Sequence, residues 1–213
     1  MTVAVVSVSA RGRDEVSVSL EIREGDAVQR ESFLLSASAF ADLHLAVGEC
    51  GRETFDAVSS EAERYGAVKA GLSVLSYGAH SKRSLCRKLT QKGFSAAVAS
   101  EAAGRLAELG YIDEDADALR EAQRCVAKLW GRKRICAHLH EKGYSEESVR
   151  KALYSLEDDG VDFAEVCADR LRQSSRALPK DPKELQKLVA SLMRYGFSGS
   201  EIKEAMREIQ GDK

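Results

Sequence analysis

Two stretches of this chain carry basic groups at spacings suited to gripping an anion. "SKRSLCRKLTQK" (81–92) holds Lys82, Arg83, Arg87, Lys88 and Lys92 with no acid among them. "KLWGRKR" (128–134) holds Lys128, Arg132, Lys133 and Arg134. Guanidinium and ammonium groups repeated along a helix make a positive stripe, whose ligands would be phosphates or an acidic protein surface. A solvated helix face uses the same residue types, and pattern alone favours that plainer reading. Trp130, inside the second cluster, is either a core residue or an exposed anchor.

Bond-making chemistry finds no support. The chain has no GxSxG, no P-loop and no Gly-rich dinucleotide fingerprint. A non-enzymatic protein without a cofactor is expected. Cys136 and His140 are four apart and would share a helix face, but His138 would point elsewhere, and a closed zinc site needs four ligands. The acidic run "DEDAD" (113–117) lacks the glycine turn and distal Glu of a calcium loop and fits the first turn of a helix better. No metal site is expected.

What must position the basic stripes is a repeated unit. "KGFS" (92–95), "KGYS" (142–145) and "YGFS" (195–198) place Gly93, Gly143 and Gly196 about 50 residues apart. Such a period marks an internal repeat. Glycine ends a helix in the left-handed conformation, the aromatic bridges, and the serine caps the next helix. The flanks agree. Leu85/Leu89, Ile135/Leu139 and Leu188/Leu192 precede the three turns at i, i+4. Val149/Leu153/Leu156 and Ile202/Met206/Ile209 follow the second and third at i, i+4, i+7, while Ala99/Ala103/Leu106 make a looser stripe after the first. "DPKE" sets Asp181, Pro182 and Glu184 as cap, first-turn proline and box partner, and Ser198 stands in the same relation to Glu201. A further helix leads each pair, at 67–77, 113–129 and 162–173. The expectation is three tandem three-helix repeats in an elongated or curved array.

Ahead of the repeats, residues 3–8, 15–22 and 28–35 alternate as strands of a small antiparallel meander, Val16, Val18, Leu20 and Ile22 facing one way and Glu21 the other. A helix capped by Ser36 and carrying Phe40, Leu43 and Val47 should cover it, with another at about 53–76. The fold class is thus mainly α with an N-terminal β-rich extension. The expected divisions are 1–50, the extension; 51–110, a linking helix and repeat 1; 111–160, repeat 2; and 161–213, repeat 3.

Charge divides the chain in the same place. Residues 1–66 hold 6 Lys/Arg against 12 Asp/Glu, and residues 67–213 hold 26 against 22. The net charge of −2 argues against strong autonomous DNA binding. No apolar run reaches the roughly 20 residues that span a bilayer, and the first residues lack the basic and apolar segments of a secretory signal. The five scattered cysteines contain no CxxC, which suits a reducing cytoplasm.

The residues "LSYGAHSKRSLCRKLTQKGFS", "LGYIDEDADA" and "KLWGRKRICAHLHEKGYSEESVRKAL" resemble the RecX family of proteins that regulate the RecA recombinase. Ser81, Leu85, Arg87, Leu89, Lys92 and Gly93 supply most of that family's Ser-Arg-x-x-L-x-x-K-L-x-x-K-G stretch. Gly110, Tyr111, Ile112, Asp113 and Ala118 match the usual join between repeats. Asp117 stands where the family tends to have Tyr or Phe, and Arg132 where Pro is common. The resemblance covers about residues 67–210 and is weaker in the third repeat. It implies a monomer that lies in the groove of the RecA–single-stranded-DNA filament and inhibits ATP hydrolysis, filament growth and strand exchange. It makes the two basic clusters the contact surface and leaves direct DNA binding weak. A helical-repeat nucleic-acid binder without a recombinase partner is the alternative.

Overall fold

The computed structural model describes residues 2–174 and 178–211. They form two compact units, residues 1–78 with 85–111, and residues 79–84 with 112–213.

In the first unit, β1 (Thr2–Ala10), β2 (Glu15–Glu24) and β3 (Ala27–Ser36) form the expected meander. A short β4 (Gly48–Cys50) joins them, in the antiparallel order β3-β2-β1-β4. Alternation puts Val3, Val5, Val18, Leu20 and Leu35 on one buried face. Glu21 points to the other face yet is also buried, because Arg23 and Arg30 close over it at 2.6 and 2.8 Å. Their hydrogen bonds, Arg23 first, hold its carboxyl below the usual range. Those arginines are themselves exposed, so the carboxylate is shielded by ions rather than by apolar core.

Helix α1 (Ala37–Asp42) starts at Ser36, whose hydroxyl accepts from Ala39 N at 3.1 Å. It is shorter than its apolar spacing suggests. Leu43 closes it, His44 turns left-handed at φ 48°, and Val47 is left 67% exposed. The freed chain supplies β4. Helix α2 (Arg52–Leu75) is one continuous element, so the linking helix and the leading helix of repeat 1 are the same helix. Its first half packs Phe55 and Val58 on the sheet, with Phe55 edge-on to Phe33 at 5.7 Å. Its second half lies on α4 (Ala96–Glu108), and α3 (Lys82–Gln91) lies between them in sequence.

The second unit contains α5 (Glu114–Val126), α6 (Arg132–Glu141) and α7 (Glu146–Asp158), then α8 (Phe163–Gln173), α9 (Pro182–Arg194) and α10 (Gly199–Gly211). In each trio the first and third helices pack together. One core gathers Ala118, Cys125, Ile135, Leu139, Leu153 and Leu156; the other gathers Cys167, Leu171, Leu192, Phe197 and Ile202.

The repeated tetrapeptides work as read. Gly93, Gly143 and Gly196 are left-handed, at φ 102°, 88° and 95°. The next residue's N–H returns to a carbonyl at the end of the preceding helix: Phe94 to Leu89, Tyr144 to Leu139 and Phe197 to Leu192, at 3.3, 3.1 and 3.3 Å. Ser95 and Ser145 then accept from Val98 N and Ser148 N. Ser198 and Glu201 form a reciprocal capping box, with bonds of 2.6 and 3.3 Å. Together with the sheet, these elements make a mainly helical protein with a small N-terminal antiparallel sheet. Among the described residues, no helix is long and apolar enough to cross a membrane.

Candidate functional site

Helix α3 presents the first basic cluster. Leu85 and Leu89 are fully buried and fix the helix's rotation, so Arg83 and Arg87 stand on the opposite, solvent side. Lys82 and Lys92 are exposed and Lys88 is half-buried. Among the described residues, none of these five side chains has a carboxylate within 4 Å. Ser81 opens the helix by accepting from Ser84 N at 3.1 Å, and its own hydroxyl donates to the Lys142 carbonyl at 2.9 Å. The first turn is thereby pinned to the glycine turn at the end of α6. Glu114 adds a carboxylate at that turn, accepting from Lys82 N at 2.7 Å.

The second cluster divides. Arg132 is ion-paired with Glu157, both side chains partly exposed. Lys133 is exposed without a carboxylate partner among the described residues. Arg134 lies on Trp130, 4.0 Å from the ring centroid, and Lys128 sits 5.6 Å from the same ring. Trp130 is half-buried, packing against the repeat 2 core while carrying these cations. The first turn of α6 is held as firmly as that of α3: Gly131 N donates to the Tyr195 carbonyl at 2.8 Å and Lys133 N to that of Gly196 at 3.0 Å.

No family model matches the chain. It is 30% identical over 159 residues to a "Regulatory protein RecX" of Chlorobaculum tepidum, an alignment covering 72% of this chain and 94% of that one. The chain belongs to the RecX family. A second RecX, from Pelodictyon phaeoclathratiforme, is 32% identical over 143 residues, 67% of this chain and 88% of its own. The fold agrees. A crystal structure of regulatory protein RecX superposes with a TM-score of 0.72 at 22% identity, over 95% of this chain and 99% of that one. RecX from Lactobacillus salivarius gives 0.57 at 22%, over 70% and 97%.

The other candidate chemistry of this RecX-family chain resolves into structural roles. Each acid of "DEDAD" has its own partner. Asp113 accepts from Ala116 N at 3.0 Å, Glu114 from Lys82 N, and Asp115 from Lys151 Nζ at 2.7 Å and Ser148 Oγ at 2.6 Å. Asp117, buried, is paired with Arg120. Bonding to Lys151, then to Ser148, keeps the Asp115 carboxyl below its usual range.

His138 turns away from Cys136 and His140 and bonds Glu121 Oε1 at 2.8 Å. With Cys125 it forms a group whose ligand atoms all lie within 4.8 Å. The spacing could hold a cation, but the chemistry opposes it. Lys142 and Arg124 approach Glu121 at 3.7 and 3.5 Å, and burial, aided by Glu121, pushes the Cys125 thiol up. The group serves as a polar clamp between α5 and α6.

Two residues beside the second cluster carry no signal in sequence. Arg170 on α8 lies 3.1 Å from the centroid of the Tyr195 ring, and Arg134 approaches the same ring at 5.0 Å. Tyr195 reads as turn punctuation, and Arg170 as one charge on an amphipathic helix.

Proposed function

We propose that this RecX-family chain is a non-enzymatic regulator of a RecA-type recombinase. It binds in the groove of the RecA–single-stranded-DNA filament and lowers ATPase, filament growth and strand exchange. Membership of a family of named regulatory proteins, at 30% identity over 159 residues, carries this reading. The α3 face suggests the means. Arg83, Arg87 and their neighbours are rigidly presented and lack carboxylate partners among the described residues, so their field is available to an acidic or phosphate-lined groove. Lys128, Lys133 and Arg134 offer further cations, whereas Arg132 is engaged by Glu157. On this reading the protein works as a cytoplasmic monomer, with residues 1–50, 51–110, 111–160 and 161–213 as its parts.

The stacked cations at Trp130 favour a second reading, direct nucleic-acid binding without a recombinase. Affinity for RecA-coated single-stranded DNA should exceed affinity for bare single-stranded DNA. Equal affinities would transfer support to the second reading.

A further inference from the structure

Helices α1, α2 and α4 of the first unit border an open groove of about 850 Å³. Leu43, Val68, Val98 and Leu109 give it apolar surface, and Leu109 is 53% exposed. Its charged lining is unbalanced. Asp42, Glu61, Glu101 and Glu108 stand against two arginines, an excess of two negative charges. Both arginines are already engaged. Arg64 reaches Glu61 at 2.6 Å and Glu101 at 3.3 Å, and Arg105 reaches Glu108 at 3.8 Å. Among the described residues, Asp42 has no cation within 4 Å.

Gly104 is a second, independent sign. It lies inside α4 and lines the groove. A Cβ there would stand in open space, with no neighbour within 4 Å among the described residues beyond its own stretch of helix. Glycine inside a helix is destabilising relative to alanine, so it needs a reason. Gly71 of α2 has one, because a Cβ on it would lie 2.5 Å from Leu106 Cδ1. Nothing described in this chain supplies one for Gly104. Close approach of another backbone would.

We propose that this groove docks a cationic amphipathic helix of a partner protein, with Gly104 at the point of closest approach. The walls are helices whose backbone groups already bond within the helix, so an extended segment would find few backbone partners there. A helix brings its own backbone bonds. Its Lys and Arg would meet the surplus carboxylates while its apolar stripe meets Leu43, Val68 and Val98. A second copy of this chain is a poor occupant. Its α3 is strongly cationic, but the apolar stripe of α3, Leu85 and Leu89, is fully buried in its own core. The inference does not rest on the recombinase reading, since α1, α2 and α4 carry none of the cations invoked there.

The test uses the full-length protein and two fluorescein-labelled helical peptides of about 14 residues, roughly four turns. Both have one amphipathic pattern, the first of Leu and Lys, the second of Leu and Glu. Anisotropy should show saturable one-to-one binding of the Leu/Lys peptide, about tenfold tighter or more than of the Leu/Glu peptide. Gly104→Gln fills the point of approach with a better helix former. Thermal melting should show an unchanged or higher midpoint, while affinity for the Leu/Lys peptide falls about tenfold. Asp42→Lys/Glu108→Lys reverses the surplus charge and should weaken the same peptide to a similar degree, with a smaller salt dependence. Absence of binding, equal affinity for the two peptides, or variants that stay folded and keep full affinity would each overturn the assignment. So would self-association of the free protein, seen by sedimentation velocity, that Gly104→Gln abolishes, because the groove would then belong to a second copy. Binding to RecA-coated strands is untouched by any of these results.

Discussion

Gly131 and Gly196 meet so closely that a Cβ on Gly131 would lie 2.4 Å from the Gly196 carbonyl carbon. A Cβ on Gly196 would meet Arg134 N at the same distance. The start of one repeat's middle helix is therefore seated on the glycine turn of the next repeat, backbone against backbone.

Three substitutions separate what this contact contributes from what backbone conformation contributes. Gly131→Ala keeps an allowed φ of −79° and introduces only the clash, which against backbone should cost about 1–3 kcal/mol. Gly93→Ala has open space but a φ of 102°, so it should cost about 1–2 kcal/mol from strain alone. Gly196→Ala suffers both and should be the least stable of the three. Urea denaturation followed by circular dichroism ranks them. Gly196→Ala matching Gly93→Ala would refute the backbone seat.

The Ser198–Glu201 box predicts a smaller loss. Ser198→Ala removes an acceptor for Glu201 N and should lower stability by about 1 kcal/mol. Thermal melting measures it, and an unchanged midpoint would mean the box is ornamental.

The clamp at Glu121 predicts a pH dependence. Its carboxyl is held below the ordinary 4.5, chiefly by the hydrogen bond from His138 and against the opposing effect of burial; Lys142 and Arg124 assist. A depressed folded-state pKa gives stabilisation that is complete above the unfolded value and lost as pH falls through the folded one. Glu121→Gln should therefore be less stable than the parent at pH 7, with the gap closing below about pH 4.5. Urea midpoints at pH 7 and pH 3.5 check the sign. A gap that widens in acid would contradict it.

These features differ in how readable they are from sequence. The glycine turns, serine caps and capping boxes are local, each set by residues within one turn, so they appear as a repeating four-letter pattern. The fourth strand, Gly48–Cys50, is too short to show alternation and exists only because β1 offers it a partner. The early end of α1 follows from His44 turning left-handed, which apolar spacing does not encode. The second basic cluster reads as four equivalent cations. The fold separates them by bringing Glu157 to Arg132 and Tyr195 to Arg134, both non-local events, while Trp130 meets Arg134 from only four residues away. Arg170 and Tyr195 meet for the same reason.

The α3 surface makes a binding prediction. Arg87→Glu with Lys88→Glu reverses two charges, Arg87 opposite the Leu85–Leu89 core stripe and half-buried Lys88 at its edge, and circular dichroism should show helicity retained. Affinity for RecA-coated DNA should fall by roughly tenfold or more, through a slower on-rate and a weaker salt dependence. Sedimentation of labelled filaments with the protein gives the comparison, and undiminished binding would remove α3 from the contact surface.

The most direct measurement is the ATPase rate of RecA on single-stranded DNA with this protein titrated in. A saturable fall in rate at sub-stoichiometric to stoichiometric ratios, relieved in the Arg87→Glu/Lys88→Glu variant, is the result predicted for a regulator seated along the filament. A rate that stays constant through a large excess of folded protein would contradict it.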